Sequence, residues 1–312
     1  MQKRKLGKSG IEIAPVMFGG NVFGWTIDEA TSFALLDRFV DAGFNAIDTA
    51  DVYSAWVPGH KGGGSETVLG AWLKDRGKRD QVVVATKLGM LAPNNGLKTA
   101  QIEAAVEASL KRLQTDYIDL YQAHKDDADT PLEETLEAFE ALKTAGKVRA
   151  LGASNYEAPR LQAALEAGEK PGRARYQTLQ PLYNLMERGF EKALQPLCVE
   201  HDVGVIPYYA LASGFLTGKY RSEDDLGKSP RGGGVKKYLN DKGFAVLKAL
   251  DDIAEAHGAT PAAVAVAWVI AQPSIAAAIA SATKPDQLDA LIKAADLTLS
   301  ADDLSTLDKA SA

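Results

Sequence analysis

Eight times along its 312 residues the chain passes from a short apolar run to a segment whose apolar residues recur at helical spacing. Strands that recur singly between helices pair in parallel, because a helical crossover returns the chain to the same end of the sheet. With no Pro/Ser-rich linker and no internal repeat, such a series closes into one parallel barrel. The competing architecture is an open, doubly wound sheet, which a G-x-G-x-x-G turn after the first strand would favour. The stretch GGNVFG at 19–24 does not have that spacing. The expectation is therefore an α/β chain folded as a (β/α)8 TIM barrel, one domain over 1–312, with an N-terminal hairpin and extra C-terminal helices.

The opening KRKLGKSGIEI reads as that hairpin, turning at Lys8-Ser9-Gly10. PVMFGGNVFG follows, broken by Gly19 and Gly20. A helix over 28–40 carries Phe33, Leu36 and Val40 on one stripe, with Gly43 as its stop. Strands are expected at 44–48, 82–87, 117–123, 147–154, 175–180, 204–208 and 275–280, and further helices at 65–74, 102–113, 158–167, 190–200, 241–257, 261–271, 285–294 and 301–310. Thr130-Pro131-Leu132-Glu133 reads as a capping box opening a helix with Leu132, Leu136, Phe139 and Leu142 inward and Gly146 at its end. A long loop over 212–239 holds Lys228 and Arg231, which either approach phosphates or face water, and its glycines suit a lid.

A net charge of −6 and no basic stripe argue against a nucleic-acid partner. The basic MQKRKLGK has no apolar run behind it, so it is not read as a secretory signal. The run AAVAVAWVIA at 262–271 is too short to span a bilayer. Trp268, within it, reads as core. A single cysteine, Cys198, excludes an internal disulfide framework, and with four scattered histidines no metal-site spacing exists. The expectation is a soluble cytoplasmic protein without a membrane or metal.

In parallel barrels the reacting groups come from the carboxyl ends of strands and the loops beyond. Those ends read Asp48, Lys87, His124, Asn155, Gln180 and Tyr208, with Tyr53 five positions past Asp48 in IDTADVY. Taken alone, Asp48 is a turn acid, Lys87 a solvated strand end, His124 structural or functional in equal measure, and Tyr53 a loop aromatic. Together they make coherent chemistry. A lysine ammonium roughly 4 Å from a phenol oxygen favours phenolate by about 4 kcal/mol at an effective dielectric near 20, which is about three pKa units. That brings tyrosine into the range of a useful acid. Asp48 would keep Lys87 charged and oriented, and His124 would donate to a carbonyl oxygen as negative charge develops there. The set suits protonation of an oxyanion and needs a hydride from elsewhere.

The blocks IDTADVYS, GSETVLG, VVVATK, TDYIDLYQAH, PLEETLEAFEALKTAGKVRALGASN, QPLYNL and GVIPYYALASGFLTGKY resemble those of the aldo-keto reductases. The resemblance implies a barrel with a nicotinamide cofactor lying extended over its C-terminal rim. It implies Tyr53 as general acid, Lys87 and Asp48 lowering its pKa, and His124 orienting the carbonyl. It assigns Ser154, Asn155 and Gln180 to the nicotinamide carboxamide; Gln177 shares that strand, but only Gln180 stands three before Tyr183-Asn184. It assigns Tyr208 to the face of the nicotinamide ring, and Leu211, Ser213, Gly214, Leu216, Gly218 and Lys219 to the pyrophosphate. Gly19 and Gly20 are expected to approach the cofactor.

Two departures stand out. Tyr209 replaces the serine that commonly follows the stacking tyrosine. After the last strand, Thr283 stands where an arginine commonly grips the ribose 2′-phosphate. Ser281, Thr283, Lys284 and Gln287 remain as a phosphate site at a helix start, softening the preference for NADPH over NADH because a lysine lacks the bidentate fork. Phe23, Trp25 and Trp56 either line an apolar substrate pocket or pack on nearby helices. Asp126 and Asp127 read as turn and cap residues. The resemblance implies an NADPH-dependent reductase of aldehydes or ketones; an NAD-linked sugar or alcohol dehydrogenase and a redox-sensing regulatory subunit are the alternatives.

Overall fold

The computed structural model describes residues 1–229 and 232–312; Arg231, expected near phosphates, lies outside the described residues. The chain opens with an antiparallel hairpin, β1 (Arg4–Lys5) and β2 (Glu12–Ile13). The barrel strands are β3 (Val16–Gly19), β4 (Ala46–Asp48), β5 (Val83–Leu88), β6 (Ile118–Ala123), β7 (Val148–Ser154), β8 (Thr178–Gln180), β9 (Gly204–Val205) and β10 (Ala278–Ala280). All eight pair in parallel, in the order β10-β3-β4-β5-β6-β7-β8-β9. The seam between β9 and β10 is closed by backbone bonds: Val205 N donates to Ser274 O at 2.8 Å, Ala276 N to Val205 O at 2.8 Å and Ile279 N to Pro207 O at 3.0 Å. The (β/α)8 barrel is complete.

Around it lie α1 (Glu29–Asp41), α2 (Gly64–Arg76), α3 (Thr99–Leu113), α4 (Leu132–Thr144), α5 (Ala158–Gly168), α6 (Phe190–Glu200), α7 (Asp241–Ala256), α8 (Pro261–Ala271), α9 (Pro285–Asp296) and α10 (Ala301–Ala310). Period-two alternation on the strands splits the apolar residues into two cores. The shell between strands and helices holds Phe39, Trp72, Phe139 and Trp268, all fully buried. The barrel interior holds Met17, Ala46, Ala85, Leu120, Ala150, Ile206 and Ile279, together with Leu6, Ile11 and Ile13 of the hairpin. Burying each large aliphatic side chain stabilises by about 1.5–3 kcal/mol.

The hairpin plugs the end of the barrel where the strands begin. Lys8 N donates to Gln177 Oε1, just before β8. Gly7 has φ +53°, and a Cβ there would stand 2.2 Å from Gln177 O, so only glycine fits. With that end closed, the carboxyl ends of the strands are left to build a site. Gln177 therefore lies at the floor and Gln180 at the rim.

Several local expectations are corrected. The buried face of α1 is Ser32, Leu35, Leu36 and Phe39. Phe33 sits at its margin, under the guanidinium of Arg76. Thr130 does not cap α4: its hydroxyl donates to Asp127 Oδ2 at 2.7 Å, and the helix starts after Pro131. The 212–239 segment is no open loop among the described residues. It folds into 3₁₀ turns at Ala212–Thr217, Glu223–Lys228 and Gly232–Tyr238, anchored by the buried Phe215, Tyr220, Val235 and Tyr238. Trp268 is core, as expected, tilted against Tyr183 with ring centroids 5.4 Å apart. Among the described residues, no single helix is long and apolar enough to cross a membrane.

Candidate active site

Parallel pairing puts the ends of β4, β5, β6, β7 and β8 side by side on one rim. Lys87 is the last inward residue of β5, and its fully buried Nζ has three partners: Asp48 Oδ2 at 2.8 Å, Thr49 O at 2.7 Å and Tyr53 Oη at 3.0 Å. The Tyr53 hydroxyl also lies 3.3 Å from Asp48 Oδ2, to which it donates. The phenol is thus held between an ammonium and a carboxylate. Burial pushes the Lys87 ammonium below the usual lysine range, and the charge of Asp48 opposes that shift without cancelling it. The strand-end acid thus works against the desolvation of its partner.

His124 follows directly on β6, with its ring centroid 6.1 Å from that of Tyr53. Burial, helped by the charge of Lys87, pushes its pKa down to about 3, so the imidazole is neutral throughout the neutral range. A neutral ring can donate from only one nitrogen. The buried Nδ1 has no partner among the described residues. The shift carries a stability consequence: below the unfolded histidine value of about 6.5, the unfolded chain takes up a proton that the folded ring refuses. Stability should therefore fall as pH drops from about 6.5 toward about 3. Urea midpoints at pH 7 and pH 4.5 should differ less in His124→Gln than in the wild type; equal differences would refute the buried neutral ring.

The neighbouring strand ends form a second network. Ser154 Oγ donates to Gln180 O at 2.8 Å, and Asn155 Nδ2 to His124 O at 2.9 Å. Asn155 holds the left-handed φ of +55°, and its Oδ1 accepts from the Tyr208 hydroxyl at 2.7 Å. Gln180 Nε2 donates to Asp48 Oδ1 at 2.9 Å. The residues that the resemblance assigns to the carboxamide are thus joined to the Asp48–Lys87–Tyr53 cluster.

Beyond Tyr208 the backbone is unusual. Tyr209, Ala212 and Ser213 have φ of 57°, 48° and 58°, and Gly214 follows at 95°. Successive turns of this kind form a concavity of amide groups suited to anions. A Cβ on Gly214 would lie 3.4 Å from Lys219 Nζ, so the ammonium sits against the same turn. Gly218 ends the segment with φ 80°. The side chains of Leu211 and Leu216 pack into the shell core, so any contact from those two positions to a pyrophosphate is through the main chain. Lys228 is paired with Asp225 at 2.7 Å and donates to Lys219 O at 2.9 Å.

At the last strand, Lys284 precedes α9 with no side-chain cap, exposed and without an ion pair among the described residues. Gln287 reaches back to accept from Thr283 N at 2.8 Å and Thr283 Oγ1 at 3.1 Å, and Ser281 Oγ donates to Asn21 Oδ1 at 2.8 Å. Gly19 and Gly20 are needed by the protein itself: a Cβ would meet Ser281 Oγ at 2.6 Å and Asp48 O at 2.9 Å respectively.

Trp25 and Trp56 stand edge to face at 5.7 Å, and Trp56 lies 5.9 Å from Tyr53 while remaining about half exposed (52%). Phe23 does not join them: it is fully buried and stacks on Phe18 at 5.4 Å, between the barrel and its shell. Asp126 pairs with Arg160, and Asp127 Oδ2 accepts from Leu97 N, both turn roles.

Sequence reading passed over four residues. The Thr49 carbonyl is invisible in a sequence. Asn184 Nδ2 donates to Tyr209 O at 2.9 Å and supports the strained turn. Asp51 is buried two positions before Tyr53, and burial together with the charge of Glu66 pushes its carboxyl up to about 7. Gln122 points into the barrel opposite Lys87, and its polarity at an inward position of β6 was the available signal.

Comparison with known proteins agrees with this geometry. The model of the Aldo/keto reductase family matches residues 15–312. The chain is 36% identical to the Aldo-keto reductase YhdN of Bacillus subtilis (strain 168), over 97% of this chain and 91% of that protein. It is 34% identical to the oxidoreductase YrpG of the same organism, over 99% and 95%. It is also 32% identical to a probable voltage-gated potassium channel subunit beta of Arabidopsis thaliana, over 95% and 92%.

Proposed function

The chain belongs to the aldo/keto reductase family, and on that footing we propose that it reduces aldehydes or ketones to alcohols with NADPH, Tyr53 giving the proton. The observation that carries this reading is the contact of the buried Lys87 Nζ with both Tyr53 Oη (3.0 Å) and the buried Asp48 Oδ2 (2.8 Å).

A nicotinamide dinucleotide suits the residues present. The left-handed turn at Ala212–Gly214, with Lys219 against it, is a cradle for a pyrophosphate. The start of α9 offers free amides and the Lys284 ammonium for a further phosphate. Ser154, Asn155 and Gln180 supply donors and acceptors for a carboxamide, and Tyr208 an aromatic face. When bound, the nicotinamide supplies the hydride that reaches the carbonyl carbon. Tyr53 places its proton on the carbonyl oxygen, the ammonium of Lys87 stabilising the phenolate left behind. Solvent returns the proton at the end of the turnover. Neutral His124 donates a hydrogen bond to the same oxygen, and Trp25 and Trp56 keep water from the substrate side. The direct test is oxidation of NADPH with a panel of aliphatic and aromatic aldehydes and ketones; no turnover with any of them would end the reading.

Cofactor choice rests on Lys284, because Thr283 offers no positive charge. A single exposed lysine at a helix start should give the wild type roughly tenfold tighter binding of NADPH than of NADH, an estimate equal to about 1.4 kcal/mol. Lys284→Ala should bring the two dissociation constants together. Equal affinities in the wild type would remove the phosphate site and favour an NAD-linked dehydrogenase.

A second reading has its own observation, the likeness to potassium channel beta subunits. In that case the site holds cofactor as a sensor for another protein. The carbonyl panel separates the two, because a sensor alone binds NADPH without oxidising it at a useful rate.

A further inference from the structure

Inside the barrel, at the level of Lys87, two buried amides meet. Gln180 Nε2 lies 2.9 Å from Asp48 Oδ1 and 3.5 Å from Gln122 Oε1. Gln180 is 1% exposed and Gln122 is fully buried. The amide has one orientation that works: turned over, its oxygen would face a carboxylate oxygen at hydrogen-bond distance with no proton between them. One amide hydrogen then goes to Asp48 and the other points at Gln122. Asp48 is divided by this arrangement. Its Oδ1 is taken by a neutral donor, and its Oδ2 alone faces both Lys87 Nζ and Tyr53 Oη.

Gln122 is placed by its neighbours. In register it stands between Lys87 on β5 and Gly152 on β7, and Gly152 is paired in turn with Thr178. A Cβ on Gly152 would lie 2.1 Å from Thr178 Oγ1 and 3.1 Å from Gln122 Cγ, so the missing methyl makes room for both side chains. Burying the three uncharged polar side chains Gln122, Thr178 and Gln180 in an otherwise aliphatic barrel costs stability wherever their hydrogen bonds are not all made. Gln122 Nε2 and Thr178 Oγ1 have no partner among the described residues.

We propose that Gln180, steadied by Gln122, is a positioning residue for the acid–base group: it holds one oxygen of Asp48 so that the other is fixed on Lys87 and Tyr53. This rests on the reductase reading, and it adds to the expected contact of Gln180 with the cofactor a second task on the proton side. Because Gln180 serves both, Gln122 is the cleaner handle, being sealed in the barrel interior.

Two experiments test it. In Gln122→Met, nearly equal in volume but without an acceptor, the single-turnover rate at saturating NADPH should fall about tenfold while the dissociation constant for NADPH, measured by fluorescence titration, stays within twofold. An unchanged rate with weakened NADPH binding would overturn the proposal, leaving Gln180 a cofactor contact only. The second needs no turnover. In ligand-free Gln180→Glu the new carboxyl can donate to Asp48 only while protonated. Its folded-state pKa is therefore raised, and stability relative to wild type should be lost as pH rises from 5 to 9. A difference from wild type that is flat across that range would show that residue 180 does not hold Asp48. If the wild type reduces no carbonyl, the reductase reading fails, while the stability measurement still decides whether the Asp48 contact exists.

Discussion

Tyr53→Phe should lower the rate of carbonyl reduction by about 10²–10⁴-fold, the range that loss of a general acid covers, with NADPH binding essentially intact. The hydroxyl accepts from Lys87 Nζ at 3.0 Å and donates to Asp48 Oδ2 at 3.3 Å, both side chains of the same buried cluster. Neither supports a strand or a helix. The ring keeps its edge-to-face neighbours Trp56 and His124 when the oxygen is removed. The fold and the mouth of the pocket therefore survive, and the loss should appear in the chemical step. Stopped-flow reduction of one good carbonyl substrate at saturating NADPH checks this, with fluorescence titration for binding. A rate within a few-fold of wild type would assign the proton to another group.

Lys87→Met should cost about 3–5 kcal/mol of stability, the range found when one partner of a buried ion pair is removed. Both members are almost fully buried, at 0% and 2% side-chain exposure. Without the ammonium, Asp48 keeps only the neutral amide of Gln180 and the phenol of Tyr53 as partners. The Thr49 carbonyl loses its partner as well. Adding Asp48→Asn removes the stranded charge, so the double variant should recover about half of the loss or more. Urea unfolding of the two single variants and the double one supplies the cycle. If the double variant merely sums the singles, the two side chains do not interact in the folded protein. Because burial pushes the Lys87 ammonium below its ordinary range, the unfolded chain holds this proton more tightly than the folded one, and wild-type stability should rise as pH climbs toward the ordinary lysine value of about 10.4.

The barrel and the convergence of Asp48, Lys87, His124 and Tyr53 were legible in the sequence because each rests on a local rule. Single strands between helices pair in parallel, and polar residues that end apolar strands come to one rim. Asp48, Lys87, His124 and Tyr53 needed nothing more. Partnerships across the barrel were not legible. Gln180 was assigned to a cofactor, and its hold on Asp48, 132 positions away in the chain, shows only once β4 and β8 face each other across the interior. Phe23 was misplaced because an aromatic two residues from Trp25 gives no sign of which way it turns. It stacks on Phe18 inside the shell, whereas Trp25 packs edge to face on Trp56. Thr130 was assigned as a helix cap on its local pattern, but the helix begins one residue later, with Pro131 at the cap position, and the Thr130 hydroxyl donates to Asp127 instead. The 212–239 segment looked open because glycine and charge dominate it. Four buried side chains spread along it fix it to the barrel instead.

The proposed mechanism depends on a cation that makes a phenol a better acid, and the pH dependence of single-turnover reduction reads that coupling. The rate should be measured from pH 6 to 11 in Asp48→Asn and in Asp48→Asn/Lys87→Met, a comparison in which neither protein carries the stranded carboxylate. Removal of Lys87 should lower the plateau and move the basic limb to higher pH, because a phenol without its ammonium holds its proton longer. A basic limb at the same pH in both proteins, with equal plateaus, would contradict the coupling and leave Tyr53 without its proposed activator.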